Sequence, residues 1–256
     1  MEITVIGSSP SWQDADGACS GYLIEEHDTA VLLDCGNGVF GKLRGRFDHH
    51  QIDAVVISHM HADHILDLVP FAYALTYGPN RASKPPLLAL PPGGLAALRS
   101  LCGVWGPEGL VEDAFRASEY DPEKPLEFGS MTITFGEVPH FVPAHAMSIV
   151  GQSGARFVYG ADCGPSASLV RFAENSDLLM LEATFAEGDP SAGAESDSPG
   201  HLTGKQAGEL AAAAGAKRLL LTHISDERDV EQTRNIAEQA FGGPVEVAGQ
   251  GSSWKL

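Results

Sequence analysis

The sequence predicts an α/β layered sandwich, with two β-sheets packed together and helices outside. Three observations predict it. Short β-rich runs dominate the first part of each half of the chain, and helical patterns follow them. Several runs are continuously apolar, as strands buried on both faces are. No short-period repeat and no long linker interrupts the 256 residues. A single domain over residues 1–256 is therefore expected, with enough core to fold without staples.

The elements follow in order. Residues 2–6, 21–25 and 30–33 are β-rich runs between turn-formers. Residues 54–57, Ala-Val-Val-Ile, read as a buried strand that delivers the chain into His59. Helical periodicity begins near Ile65, with Leu66, Val69, Ala72 and Tyr73 on one face. Proline-rich stretches at 84–86 and 91–94 bracket a strand at 87–90, and 95–101 reads as a helix. A strand pair is expected across 131–138 and 148–160, then a helix over 166–174 and a buried strand over 178–182. Residues 187–200 are acidic and rich in Gly, Pro and Ser, the composition of a mobile loop. Thr203 caps a helix running through the alanine-rich stretch to Ala214. A strand at 219–222 and a helix at 230–241 complete the pattern.

Composition narrows the function. Hydrophobic residues make up 43% and charged residues 20%, ordinary for a soluble enzyme. The net charge of −18 opposes long-range attraction of polyanions. A small anionic substrate stays compatible, because bound cations reverse the local field. Cys19, Cys35, Cys102 and Cys163 form no CxxC pair, so reduced thiols are expected. The first seven residues lack a signal peptide's basic start and apolar core, and no apolar run reaches membrane-spanning length. A cytoplasmic protein without membrane partners is the expectation.

Ten histidines are present, and three fall in His59-Met60-His61-Ala62-Asp63-His64. His59 and His61 sit on a turn leaving a buried strand, where neighbouring side chains converge; Asp63 and His64 open the following helix. Imidazole and carboxylate are the donors that zinc and related divalent metals accept. The competing reading is a polar surface turn with chance histidines. Against it, further candidate ligands stand at predicted strand ends: His140 after 133–138, Asp162 after 157–159 and His223 after 219–221. By spacing alone, His145 competes with His140 as a ligand.

This set resembles the metallo-β-lactamase superfamily, whose His-x-His-x-Asp-His motif is matched by His59, His61, Asp63 and His64. The resemblance extends to Leu32-Leu33-Asp34-Cys35-Gly36, to Tyr159-Gly160-Ala161-Asp162 and to Leu221-Thr222-His223. It implies a four-layer αββα sandwich. It also implies one metal on His59, His61, His140 and Asp162, and a second on Asp63, His64, Asp162 and His223. The alignment runs through His140 and makes His145 a substrate-pocket residue. Zinc suits these ligands, and manganese or iron(II) accept them too.

Within the superfamily the likeness is to the branch of ribonuclease Z and the atypical class II cyclic-nucleotide phosphodiesterases. It rests on Cys19-Ser20-Gly21-Tyr22-Leu23, on Leu181-Glu182-Ala183-Thr184-Phe185, and on His201-Leu202-Thr203 with Gln206-Ala207. Two cations held this way lower the pKa of water towards neutrality for attack on phosphorus. His201 is the candidate proton donor to the leaving oxygen, with Glu182 orienting it. Simple exposure of His201 and backbone satisfaction of Glu182 are the bland alternatives. Asp63 joins the catalytic set as ligand, and Asp34 braces the loops. His27, His49 and His50 read as surface residues. Tyr73, Tyr77, Trp105 and Phe141 read as core before aromatic walls, and Cys163 as packing.

Ribonuclease Z enzymes insert a tRNA-gripping arm between the third histidine and the bridging aspartate. Here residues 140 to 162 span an interval of 22, too short for an arm. A small cyclic nucleotide such as cyclic AMP therefore fits better than a nucleic-acid polymer. A homodimer is implied by the resemblance alone. The rival readings are tRNA 3′ processing, hydrolysis of a lactone, thioester or β-lactam on the same metals, and a metal-binding scaffold without catalysis.

Overall fold

The computed structural model describes residues 1–80, 84–189 and 200–256. The first half runs β1 (Glu2–Gly7), β2 (Gly21–Glu26), β3 (Thr29–Leu33), α1 (Val39–Arg44), β4 (Ala54–Val56), α2 (Ala62–Ile65), α3 (Leu68–Tyr77), β5 (Leu87–Leu90), α4 (Gly94–Gly103), α5 (Leu110–Ala114) and β6 (Arg116–Glu119). The second runs β7 (Leu126–Phe128), β8 (Met131–Val138), β9 (Ala144–Val150), β10 (Arg156–Tyr159), α6 (Ala167–Phe172), β11 (Leu178–Glu182), α7 (Gly204–Ala214), β12 (Leu219–Thr222), α8 (Val230–Phe241), β13 (Val245–Val247) and β14 (Ser253–Lys255).

Among the described residues the strands form two mixed seven-stranded sheets, β14-β1-β2-β3-β4-β5-β6 and β13-β12-β11-β10-β9-β8-β7. The four-layer arrangement can be read from single strands. In β3, Val31 and Leu33 face the other sheet, whereas Ala30 and Leu32 pack under α1 and α3. In β12, Leu220 faces the first sheet, whereas Leu219 and Leu221 pack under α6 and α7. Both faces are buried, so the sequence shows no alternation. The sheets are also tied at one rim, where the Tyr22 hydroxyl and Thr222 Oγ1 hydrogen-bond at 2.7 Å.

Several expectations are corrected. Residues 148–160 are not one strand: β9 starts at Ala144, a turn at Gly151–Ala155 follows, and β10 completes a hairpin. The helix after the motif is two pieces. The first turn ends at Ile65, the phase restarts at Leu68, and Leu68, Phe71, Ala72 and Leu75 become the buried face. Tyr73 is exposed, as are Tyr77, Trp105 and Phe141, so none of the four is core. His49 is buried beside Phe40 and Phe71, whereas His27 is exposed. The loop expected over 187–200 lies, from 190 to 199, outside the described residues. Thr203 does cap α7, in a reciprocal capping box with Gln206. No described helix is long and apolar enough to cross a membrane.

Candidate metal centre

The strands β3, β4, β10 and β12 carry their following residues to one rim of the sandwich. Asp34 follows β3, Ser58 and His59 follow β4, Asp162 follows β10, and His223 follows β12. Glu182 ends β11. Three of these turns hold non-glycine residues in the left-handed region: Asp34 (φ 56°), Ala161 (φ 55°) and His223 (φ 58°). Such backbone costs about 1–3 kcal/mol each and persists where surrounding structure over-determines it. Gly36 is required for closeness, since a Cβ there would lie 1.8 Å from the Asp63 carbonyl oxygen. That approach lets the Cys35 N–H donate to the His64 carbonyl at 2.8 Å and locks the motif onto β3's exit turn.

Two groups of donor atoms result, His59 with His61 and His140, and Asp63 with His64, Asp162 and His223. In the first, His61 Nδ1 lies 3.1 Å from His59 Nε2 and 2.9 Å from His140 Nε2. In the second, His223 Nε2 lies 3.1 Å from Asp63 Oδ2 and 3.5 Å from Asp162 Oδ2. His64 Nε2 is 3.4 Å from both Asp63 Oδ2 and Asp162 Oδ1. Asp162 stands between the groups, its Oδ2 also 4.0 Å from His59 Nε2. Nitrogens about 2.1 Å from a tetrahedral ion sit about 3.4 Å apart, close to this spacing.

The far sides of the rings fit the same reading. His59 Nδ1–H donates to Ser58 Oγ (3.0 Å), His64 Nδ1–H to Asp34 (2.7 Å) and His140 Nδ1–H to the Gly200 carbonyl (2.7 Å). His223 Nδ1–H donates to Thr184 Oγ1 (2.7 Å). Outer partners of this kind fix the tautomer that leaves Nε2 with its lone pair. The Nε2 atoms of His59 and His140 then both face the Nδ1 of His61, which has at most one proton to share between them, so at least one lone pair faces another unless a cation lies among the three. Likewise, His64 Nε2 is buried without a hydrogen-bond partner among the described residues. The residues present fit a metal.

Electrostatics separate the two groups. Burial holds the imidazoles of His59, His61 and His140 below the ordinary range, in the neutral, ligating form. Burial opposes charge on His64 too, but Asp162 and Asp34 outweigh it and hold that ring above the ordinary range. Burial disfavours the charged form of Asp162, yet His223 and His64 keep its carboxyl well below the usual carboxylate range.

His201 and Glu182 adjoin both groups. His201 Nδ1–H donates to Glu182 Oε1 at 2.7 Å, and its ring centroid lies 5.0 Å from that of His140 and 5.8 Å from that of His223. Glu182 is wholly buried, and both readings of it hold. It accepts from His201 and also from the backbone N–H groups of Cys163, Thr184 and Leu202. The Thr184 hydroxyl links it to His223, donating to Glu182 Oε2 at 2.5 Å. Burial opposes a charge on His201, but Glu182 outweighs it and raises the ring's pKa. Asp34 accepts from Ser58, His64 and Tyr159 and is too enclosed to reach a metal. His145, by contrast, is not at the site: it is buried on β9, its Nδ1 3.2 Å from the Tyr120 hydroxyl. Sequence reasoning missed Trp12 and Arg228, which line a pocket shared with His201. They sit outside any motif, so no local signal marks them.

Comparison with known proteins agrees with this geometry. The β-lactamase superfamily domain matches residues 29–224. The probable metallo-hydrolase YhfI of Bacillus subtilis is 34% identical over the whole of both chains. Its crystal structure superposes with a TM-score of 0.87, covering 99% of this chain and 98% of that one. Ribonuclease Z of Myxococcus xanthus is 26% identical, over 100% of this chain and 98% of its own. The short form of human tRNase Z, 21% identical with a TM-score of 0.76, covers 100% of this chain and 99% of its own and shares the fold.

Proposed function

The chain belongs to the metallo-β-lactamase superfamily of metal-dependent hydrolases, and from that premise we propose that it hydrolyses a phosphodiester of a small anionic molecule, a cyclic nucleotide such as cyclic AMP. His59, His61, His140 and Asp162 would hold one divalent cation, and Asp63, His64, Asp162 and His223 a second, zinc being the first choice. When bound, such a pair supplies Lewis-acid charge and a water acidic enough to attack at neutral pH.

The observation that carries the phosphodiester reading is the His201–Glu182 pair beside both groups. An alkoxide leaving from phosphorus needs a proton. Glu182 occupies Nδ1, so Nε2 is the nitrogen of His201 left to deliver one, and the carboxylate raises the ring's pKa against the opposing effect of burial. Ribonuclease Z relatives at 26% identity support the same bond type. The small substrate is supported by the chain between His140 and Asp162, which is occupied by the β9–β10 hairpin and offers no arm. The charge of −18 supports it too. Cytoplasmic location and a homodimer complete the proposal; sedimentation checks the latter.

His201→Ala tests the mechanism. The variant should retain both metals by elemental analysis. Its turnover of cyclic AMP, whose leaving group is a ribose alkoxide, should fall by roughly 10²–10⁴-fold, the usual worth of a general acid. Unchanged turnover removes the acid, and faster hydrolysis of a lactone or nitrocefin by the parent protein overturns the phosphodiester reading.

A further inference from the structure

Beside the ligand groups the surface opens into a pocket of about 400 Å³. Its walls come from separated stretches of chain: Trp12 after β1, Thr184 and Phe185 after β11, and Arg228 before α8. His201 lines this pocket as well as the ligand groups, and the Phe185 ring meets it edge-on with centroids 5.2 Å apart. The side that receives the proton from His201 is the leaving side of the substrate. Whatever the leaving oxygen carries therefore passes His201 and enters this pocket.

The walls state what they would accept. Trp12 is 53% exposed and presents a large aromatic surface beside Phe185. The Arg228 guanidinium makes no ion pair or hydrogen bond among the described residues; Arg46 and Arg171 make none either, but only Arg228 of the three lines this pocket, where Asp189 and Glu227 are its acidic neighbours. A planar aromatic group bearing hydrogen-bond acceptors suits such a pair of walls, and an aliphatic one gains little from them. In a cyclic nucleotide the leaving oxygen belongs to the ribose, so the nucleoside is the leaving side.

We infer that this pocket binds the base of a nucleoside phosphodiester, its ring stacked on Trp12 and its acceptor edge towards Arg228. The inference rests on the phosphodiesterase reading for the placement of the phosphate. Stacking on an aromatic side chain is worth about tenfold to a hundredfold in affinity.

Calorimetry on the metal-loaded protein with 5′-AMP and ribose 5-phosphate tests it, because the two differ only in the base. AMP should bind at least tenfold more tightly. Trp12→Ala should abolish the preference, and Trp12→Phe should keep most of it. Arg228→Ala should weaken AMP several-fold while leaving ribose 5-phosphate unchanged. Equal binding of the two ligands, or a preference that survives Trp12→Ala, overturns the inference. Turnover of bis-p-nitrophenyl phosphate measured alongside separates the two claims. A base preference without turnover supports the pocket and sinks the phosphodiesterase; turnover without a base preference does the reverse.

Discussion

Replacing Asp34 by asparagine asks whether a residue that touches no metal decides whether one binds. The Asp34 carboxylate is wholly buried and accepts four hydrogen bonds. Oδ1 takes the Ser58 N–H at 2.7 Å; Oδ2 takes Ser58 Oγ at 2.8 Å, the Tyr159 hydroxyl at 2.9 Å and His64 Nδ1–H at 2.7 Å. An amide keeps one acceptor oxygen and puts a donor in place of the other. If the new NH₂ replaces Oδ1, it meets a backbone N–H that cannot turn away. If it replaces Oδ2, the two hydroxyls can rotate, but His64 can accept only by moving its proton to Nε2. That nitrogen faces Asp63 and Asp162 and must keep its lone pair to ligate. The outcome is either an unpaired buried donor, at about 1–3 kcal/mol, or a histidine in the wrong tautomer. Losing an outer partner of a ligating histidine typically weakens metal binding 10–100-fold, about 1.4–2.7 kcal/mol. Zinc titration of stripped protein against a chromophoric chelator measures this. One site should weaken ten- to a hundredfold while the other stays within about threefold. The metal-free variant should unfold roughly 2–12 °C lower. If both affinities stay within threefold of the parent, Asp34 does not set the tautomer and the argument fails.

Two further outcomes follow from the same geometry. His64 is held above the ordinary imidazole range, so near neutrality an incoming cation must displace its proton, and affinity at that site should climb as pH rises through the folded pKa. His59, His61 and His140 are held below that range and are already neutral at pH 7, so their site should vary little above it. Equal pH slopes for the two sites, measured between pH 6.5 and 8.5, would contradict this assignment. Gly36→Ala drives a methyl into the Asp63 carbonyl; overpacking of this kind costs about 1–3 kcal/mol or more. The variant should unfold earlier and bind zinc more weakly at the second group; an unchanged thermal midpoint would show that the turn has room to relax.

Much of the site was legible because its signals are local. Strands such as β4 and β12 are apolar on both faces, and their ends fix where His59 and His223 emerge. What the sequence concealed was either long-range or weakly patterned. β14 pairs with β1 from the other end of the chain, Trp254 opposite Ile3, and no local window contains that partnership. β6 is an edge strand whose Arg116, Ser118 and Glu119 are exposed, the polar composition of edges, so it carries no alternation. Tyr73 was misplaced because helical phase was counted through Leu66 and Asp67, where the chain breaks step between α2 and α3. His49 looked like a surface residue because its partners, Phe40 and Phe71, are brought to it only by packing of α1 and α3.

The chain's acidity and its candidate chemistry act on different length scales, and under the proposed function together they favour a small substrate. Two divalent cations would outweigh the carboxylates of Asp63 and Asp162 at the rim, so the field within a few ångströms would attract a phosphate. Beyond a screening length of about 8 Å at physiological salt, the surface is that of a protein with charge −18. A ligand with one phosphate meets chiefly the inner field. A polynucleotide lays further phosphates across the outer one, and each must be neutralised by lysine or arginine to bind well. An inserted arm supplies such cations at a distance from the site. Here the β9–β10 hairpin fills that interval, and Arg156 at its base is spent internally, donating to Ser148 and to the carbonyls of Phe172 and Glu174. Under the proposed function, the hairpin between His140 and Asp162 therefore contributes no free arginine or lysine that a longer anion could hold.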